Sequence, residues 1–329
     1  MRVLIPVDEL PYAYAALCSA IRRNWPPGTV FTLARVLESR YEHTDPHNTE
    51  DIRHIETLKA EAESLKQKSQ QWVEKLAGAL DVENCEINSV VLEGEIDEQL
   101  AALANQLDID YMLIGSHQRP ATERAWLGSV ASSVTDSVNC SVEIVRPPLL
   151  HNMLQDEHFS TELIDDIEFQ PHKIVIATDF SENSIAAIKW LKGIEFTVEP
   201  EISVITVLPP VARKKSSLPL GQGASGGRPP TLERDRLVTA LTDMAQILTE
   251  SIGATITGTE IHMGDDPTSG ILTYATRRNA DLIVLGAHGE ARVPHEPIGS
   301  STRSVIDGAS CSVIAINARK SGLVSFGWR

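Results

Sequence analysis

The chain has 329 residues, 42% of them hydrophobic, which suits ordinary globular cores and, at roughly 100–200 residues per domain, allows two of them. Lys and Arg number 29 against 45 Asp and Glu, a formal net charge of −16. A surface that acidic repels nucleic acid and anionic lipid over a Debye length, so neither is expected as a partner.

The opening stretch MRVLIPVDELPYAYAALCSAI does not read as a secretory leader, because Pro6, Asp8 and Glu9 interrupt a short apolar run and no small-residue cleavage site ends it. No run of about 18 apolar residues occurs, so no membrane-spanning helix is expected, and the expected location is the cytoplasm. Cys18, Cys85, Cys140 and Cys311 form no C-x-x-C pair. That excludes zinc-ribbon and thioredoxin-type readings and leaves reduced thiols in the core.

Val3-Leu4-Ile5 is a short apolar run followed by Asp8, the pattern of a buried parallel strand, and a helical segment follows it. Further strand-like runs lie at 30–37, 87–92, 111–114 and 142–145. Between them Ile55, Leu58, Ala62, Leu65, Trp72, Leu76 and Leu80 recur at helical spacing, one apolar stripe to set against a sheet. The acidic, proline-bounded stretch PPLLHNMLQDEHFSTELIDDIEFQP then reads as a surface linker. The pattern starts again with Ile174-Val175-Ile176 before Asp179, with runs at 202–208, 256–262, 282–285 and 313–316. Leu237, Leu241, Met244, Leu248 and Ile252 form its second helical stripe. Residues 209–230, dominated by Gly, Ser and Pro, read as a loop inside this second unit.

The two units are a repeat. Residues 115–146 and 286–317 align 171 residues apart, with identities at Gly115, His117, Gly128, Ser129, Ser133, Val134, Asp136, Cys140, Ser141 and Val142. Asp8 against Asp179 and Val36 against Val207 keep the same offset. A period this long means duplicated domains. The expected division is 1–147 and 172–318, joined by a linker at 148–171 and followed by a tail at 319–329. Alternating strands and helices in each unit demand a parallel sheet with helices on both faces, and such sheets bind ligands beyond the carboxyl ends of the strands where strand order reverses.

After its fourth strand the second unit reads Gly286-x2-Gly289-x9-Gly299-Ser300-Ser301. Gly286 and Gly289 suit positive φ and close approach of a ligand, and Gly299 and the serines open a helix whose free N–H groups and dipole favour an anion such as a triphosphate. Arg292, His295 and Arg303 lie where they would add positive charge. The first unit reads Gly115-x2-Gln118-x9-Gly128-Ser129, with Gln118 in place of a glycine and Val130 in place of Ser301. His117 and His288 occupy equivalent loop positions. No second ligand recurs beside either at metal spacing, so no metal site and no catalytic residue is assigned. Asp136 and Asp307 recur on the last helix and suit a helix-face or interdomain salt bridge.

With this strand–loop–helix context, the opening strand-Asp and the closing Cys-Ser-Val strand, the chain resembles the universal stress protein family, whose motif is G-x2-G-x9-G-S/T. The resemblance covers both units nearly end to end. It implies two tandem, doubly wound five-stranded parallel sheets of flavodoxin-like or Rossmann-like order 3-2-1-4-5. It also implies pairing of the fifth strands, 140–145 with 311–316, into an intramolecular pseudo-dimer. It implies that adenine nucleotide, as ATP, AMP or ADP with or without Mg2+, is held in the second unit by Thr178, Asp179, Val207, Gly286, His288, Gly289, Gly299, Ser300 and Ser301. The corresponding first-unit residues are Asp8, Val36, Gly115, Gln118, Gly128 and Ser129. The function implied is stress-associated nucleotide-binding regulation. A scaffold without nucleotide and a slow ATPase are the alternatives, and a homodimer or another protein is the macromolecular partner to expect. The P-loop, SGGxDS and HxGH signatures do not occur.

Overall fold

The computed structural model describes residues 1–21, 23, 25–38, 49–80, 82–116, 128–146, 171–191, 196, 199–208, 231–264, 266–289 and 297–318. Most of the expected linker, the 209–230 stretch and the tail lie outside the described residues, as do His117, Gln118, Arg292 and His295.

The first half contributes β1 (Arg2–Pro6), α1 (Pro11–Ile21), β2 (Val30–Leu37), α2 (Thr49–Ala79), β3 (Glu86–Glu93), α3 (Ile96–Gln106), β4 (Tyr111–Gly115), α4 (Ser129–Ser137) and β5 (Ser141–Val145). The second contributes β6 (Lys173–Ala177), α5 (Glu182–Leu191), β7 (Glu201–Leu208), α6 (Thr231–Ile252), β8 (Thr255–Met263), α7 (Pro267–Arg278), β9 (Leu282–Gly286), α8 (Ser300–Gly308) and β10 (Ser312–Ile316). Every strand-like run of the sequence becomes a strand, with bounds that move by a residue or so.

The strands form one continuous ten-stranded sheet in the order β3-β2-β1-β4-β5-β10-β9-β6-β7-β8. Each half has the expected 3-2-1-4-5 order with parallel neighbours. The halves join through β5 and β10, which pair antiparallel with Val313 opposite Ile144, Ile314 opposite Glu143 and Ala315 opposite Val142. Strand side chains alternate between two buried faces. One face packs against α1, α2, α5 and α6 through residues such as Leu17, Val73, Ala187 and Leu241. The other packs against α3, α4, α7 and α8 through Leu100, Val134, Tyr274 and Val305.

One expected contact differs. Leu65 of the α2 stripe is exposed, and the buried face of that helix is Ser69, Val73 and Leu76, with Leu80 buried just past its end. At 1.5 Å per residue α2 is about 46 Å long, whereas an eight-residue strand spans about 27 Å, so its first turns have no sheet beneath them. None of the four cysteines is in a disulfide; three are buried and Cys85 is half-buried. Burial pushes the Cys311 thiol up to about 12. None of the described helices is long and apolar enough to cross a membrane.

Candidate functional site

In each half the first and fourth strands are neighbours whose connections leave on opposite sides, which opens a crevice at their carboxyl ends. In the second half β6 ends at Ala177, and the Thr178 N–H donates to the Ile205 carbonyl at 2.9 Å. The chain then turns tightly. The Ser181 N–H donates to Asp179 Oδ1 at 3.0 Å, the Phe180 N–H donates to Thr178 Oγ1 at 3.0 Å, and Phe180 takes a φ of 63°. Positive φ in a bulky residue is strained and persists only where the surroundings fix it. The turn leaves the Asp179 side exposed and buries Thr178, whose hydroxyl donates to Ser184 Oγ at 3.0 Å.

The glycine loop closes the crevice from the other side. A Cβ on Gly286 would stand 2.7 Å from the Ser184 nitrogen and from Asn183 Cβ, so this glycine admits the first turn of α5 against the end of β9. His288 is buried, and its carbonyl accepts from Asn183 Nδ2 at 3.1 Å. A Cβ on Gly289 would lie 2.7 Å from Asp179 Oδ2, so bare backbone there makes room for the carboxylate. The Gly299 N–H donates to the Ala287 carbonyl at 2.8 Å, which fixes the start of α8 beside the strand end. Gly299 is the N-cap of α8 and supplies no side-chain cap. Ser300 and Ser301 are exposed on the first turn, where backbone N–H groups and the helix dipole favour an anion.

Val207 enters from β7. Its side chain packs under α7, where a Cβ on Gly270 would approach both Val207 methyls at 2.9 Å. Its backbone groups, on the same edge as those of Ile205 two residues earlier, face the space that β6 has left. The fold therefore brings Asp179, Val207, Gly286, His288, Gly289, Gly299, Ser300 and Ser301 around one crevice.

Two expectations are overturned. The motif glycines do not use positive φ: the described glycines that do are Gly28, Gly94 and Gly253, and Gly299 has φ −66°. At Gly286 and Gly289 the missing Cβ admits neighbouring backbone and a carboxylate. Arg303 does not serve the crevice either. Its guanidinium bonds Asp307 at 3.1 Å, Asp136, and the carbonyl and hydroxyl of Ser132 at 3.0 and 2.5 Å. The recurring Asp136 and Asp307 thus share one arginine across the halves, as the salt-bridge reading expected.

The first half repeats the frame. The Val7 N–H donates to the Ala34 carbonyl at 2.8 Å, and the Leu10 N–H donates to Asp8 Oδ1 at 3.0 Å. A Cβ on Gly115 would fall 1.8 Å from the Tyr12 carbonyl oxygen, so Gly115 performs the packing role of Gly286. Asp8, Val36, Gly115 and Gly128 all line a cavity of about 230 Å3. Desolvation raises the Asp8 carboxyl above its ordinary value, against the smaller opposing pull of the Leu10 N–H and Arg35. Ser129 opens α4; its side chain is outside the described residues. Sequence reasoning missed Asn183, which ties the His288 loop to α5 and accepts the Ala318 N–H at 2.9 Å. Its counterpart in the repeat is Tyr12, so no identity flagged it.

A sequence model described as the universal stress protein family matches residues 1–146 and 171–317. The chain belongs to the universal stress protein family. Among its curated members, a universal stress protein of Methanocaldococcus jannaschii is 26% identical over 157 residues, 45% of this chain and 96% of that protein. A second from the same organism is 28% identical over 87 residues, 26% of this chain and 51% of that protein. Among solved structures, a universal stress protein from Archaeoglobus fulgidus superposes with a TM-score of 0.58 at 16% identity, covering 96% of this chain and 98% of that one. A protein of unknown function from Pseudomonas aeruginosa does so with a TM-score of 0.50 at 12% identity, covering 99% and 97%. At those identities the structures establish the shared fold across both halves, with the family membership resting on the sequence match.

Proposed function

We propose that this universal stress protein is a stress-associated, adenine-nucleotide-binding regulatory protein of the cytoplasm, with the second half as its ATP site. The observation that carries the reading is Gly289 seated against the Asp179 carboxylate beside the first turn of α8. In this arrangement phosphates meet the N–H groups and hydroxyls of Ser300 and Ser301, at the helix start that Gly299 fixes. The sugar hydroxyls donate to Asp179, and the base lies along the backbone edge of Val207. AMP and ADP share the base and sugar contacts, and Mg2+ accompanies the triphosphate. Binding is the role proposed, and slow ATP hydrolysis is the alternative.

Equilibrium binding of ATP to the full chain tests this. About one ATP per chain is expected. Gly289→Gln, which brings a side chain onto the carboxylate and installs the residue that the repeat has at position 118, should weaken it by roughly tenfold or more, a loss of about 1.4 kcal/mol. No binding at millimolar ATP would sink the proposal.

A further inference from the structure

The two halves share their frame and differ in one connection. Asn183 stands half-buried on the first turn of α5, and its side-chain amide is engaged at both ends. Nδ2 donates to the His288 carbonyl at 3.1 Å, and Oδ1 accepts from the Ala318 N–H at 2.9 Å. One planar amide thus joins the glycine loop, just past β9, to the chain just past β10. Donor and acceptor sit on one rigid group, so a turn of the amide that releases one partner releases the other. Asn317 and Ala318 are both buried, and the Asn317 N–H donates to Ser141 Oγ at 3.0 Å, so the first half also holds this stretch of chain.

The first half cannot make this connection. Tyr12 stands for Asn183 and Pro147 for Ala318, and proline has no N–H to donate. The frame does not depend on it. The bond that sets the loop against the last strand is present in both halves, from the Ala287 N–H to the Ile316 carbonyl at 2.7 Å and from the Ser116 N–H to the Val145 carbonyl at 3.0 Å. The tie through Asn183 is therefore an addition of the second half. The peptide it holds has another side. The His288–Gly289 peptide is planar and trans, so with its carbonyl on Asn183 the Gly289 N–H points the opposite way. A negative group that accepts from that N–H polarises the peptide and makes its carbonyl a stronger acceptor for Asn183. The amide is then held more firmly, and with it the Ala318 N–H.

We propose that Asn183 is a positioning residue that couples the second crevice to the segment following Ala318: an anion on the Gly289 N–H tightens the root of that segment, which thereby reports occupancy of the crevice. The anion, a phosphate of ATP, rests on the reading of the second half given above. The tie rests on the two bonds of Asn183 and on the two exchanges that remove it from the first half.

The test is the rate at which trypsin cuts the full chain after Arg319 and Lys320, followed by mass spectrometry with and without saturating ATP. ATP should slow this cleavage roughly 3- to 10-fold, the effect of one neutral hydrogen bond. Asn183→Ala removes the tie at its centre. Ala318→Pro removes the N–H alone and copies what the first half has at Pro147. Each should speed cleavage without nucleotide, and in each ATP should no longer slow it. Coupling is reciprocal, so Ala318→Pro, which alters no crevice residue, should weaken ATP binding by the same factor by which ATP slows cleavage of the parent. Cleavage that ATP leaves unchanged in a chain that binds it overturns the proposal, as does a response that survives both variants. If the chain binds no ATP, the reading of the second crevice fails, and the tie is judged without nucleotide: faster cleavage in both variants upholds it, and unchanged cleavage overturns it.

Discussion

Glycines of one motif do different work, and the difference is measurable. At Gly115 an added Cβ meets a backbone carbonyl at 1.8 Å, and at Gly286 it meets a backbone nitrogen at 2.7 Å. Backbone pinned between a strand end and a helix yields poorly, so Gly115→Ala and Gly286→Ala should each destabilise the protein by about 2–3 kcal/mol in denaturant unfolding. At Gly289 the atom met is the end of a carboxylate side chain, which can turn away. Gly289→Ala should therefore cost less than about 1 kcal/mol in stability yet reduce ATP affinity, because the carboxylate that turns is the one proposed to hold the sugar. Equal stability losses at all three positions would contradict this division of roles.

At the scale of elements, α7 packs over Val207, the proposed base edge of the second half. Asp266 caps it, its Oδ1 accepting from the Thr268 N–H at 3.2 Å and its Oδ2 from the Ser269 N–H at 3.0 Å and the Ser269 hydroxyl at 2.7 Å. These bonds, led by the Ser269 hydroxyl, hold the Asp266 carboxyl below its ordinary 3.8. A carboxyl whose folded value is depressed adds stability above its unfolded value, and that stability is lost as pH falls through the folded one. Asp266→Ala should thus lower the thermal midpoint by a few degrees at neutral pH, and the gap between variant and parent should narrow as pH falls below the ordinary carboxyl value. The helix N-terminus lies over Val207 through Gly270, so the same variant should also loosen ATP binding. In the first half the corresponding helix, α3, has Glu95 at its cap with no side-chain bond, and a substitution there should move neither quantity.

Across the whole molecule the pseudo-twofold axis passes between Glu143 and Ile314, which are opposite each other in the β5–β10 pair and 171 residues apart in sequence. Glu143 is 1% exposed. It accepts from Arg23 at 2.5 Å, from the Ser19 hydroxyl at 3.0 Å and from the Tyr111 hydroxyl at 2.7 Å. Trp190, the repeat counterpart of Ser19, stacks on Tyr111 with ring centroids 5.2 Å apart. If two first halves paired through this edge, two Glu143 carboxylates would meet at the axis; if two second halves did, two Trp190 rings would compete where Ser19 now gives room. The joint is thereby specific for one half against the other. Arg23→Met should destabilise by about 3–5 kcal/mol because it leaves a buried carboxylate unpaired. The charge-free pair Arg23→Met with Glu143→Ile should recover most of that loss, and failure to recover would show that the joint depends on the ion pair itself.

The sequence by itself determined the duplication and the alternation of strands and helices, and the family resemblance implied the strand order and the fifth-strand joint. The duplication follows from the 171-residue offset and the strands from local alternation, whereas the strand order and the joint were legible only through the family resemblance. The tertiary structure decided what each residue is near. Spacing shows that a glycine recurs and not what it makes room for, and only the structure sets Asn183 and Ser184 against Gly286 and the Asp179 carboxylate against Gly289. Helical periodicity shows which face of α2 is apolar and not where the sheet beneath it stops, so Leu65 looks buried. Arg303 beside a glycine motif reads as a phosphate cation until β5 meets β10 and brings Asp136 to it from the other half. Contacts between residues far apart in sequence have no local signal, because their partners are chosen by packing.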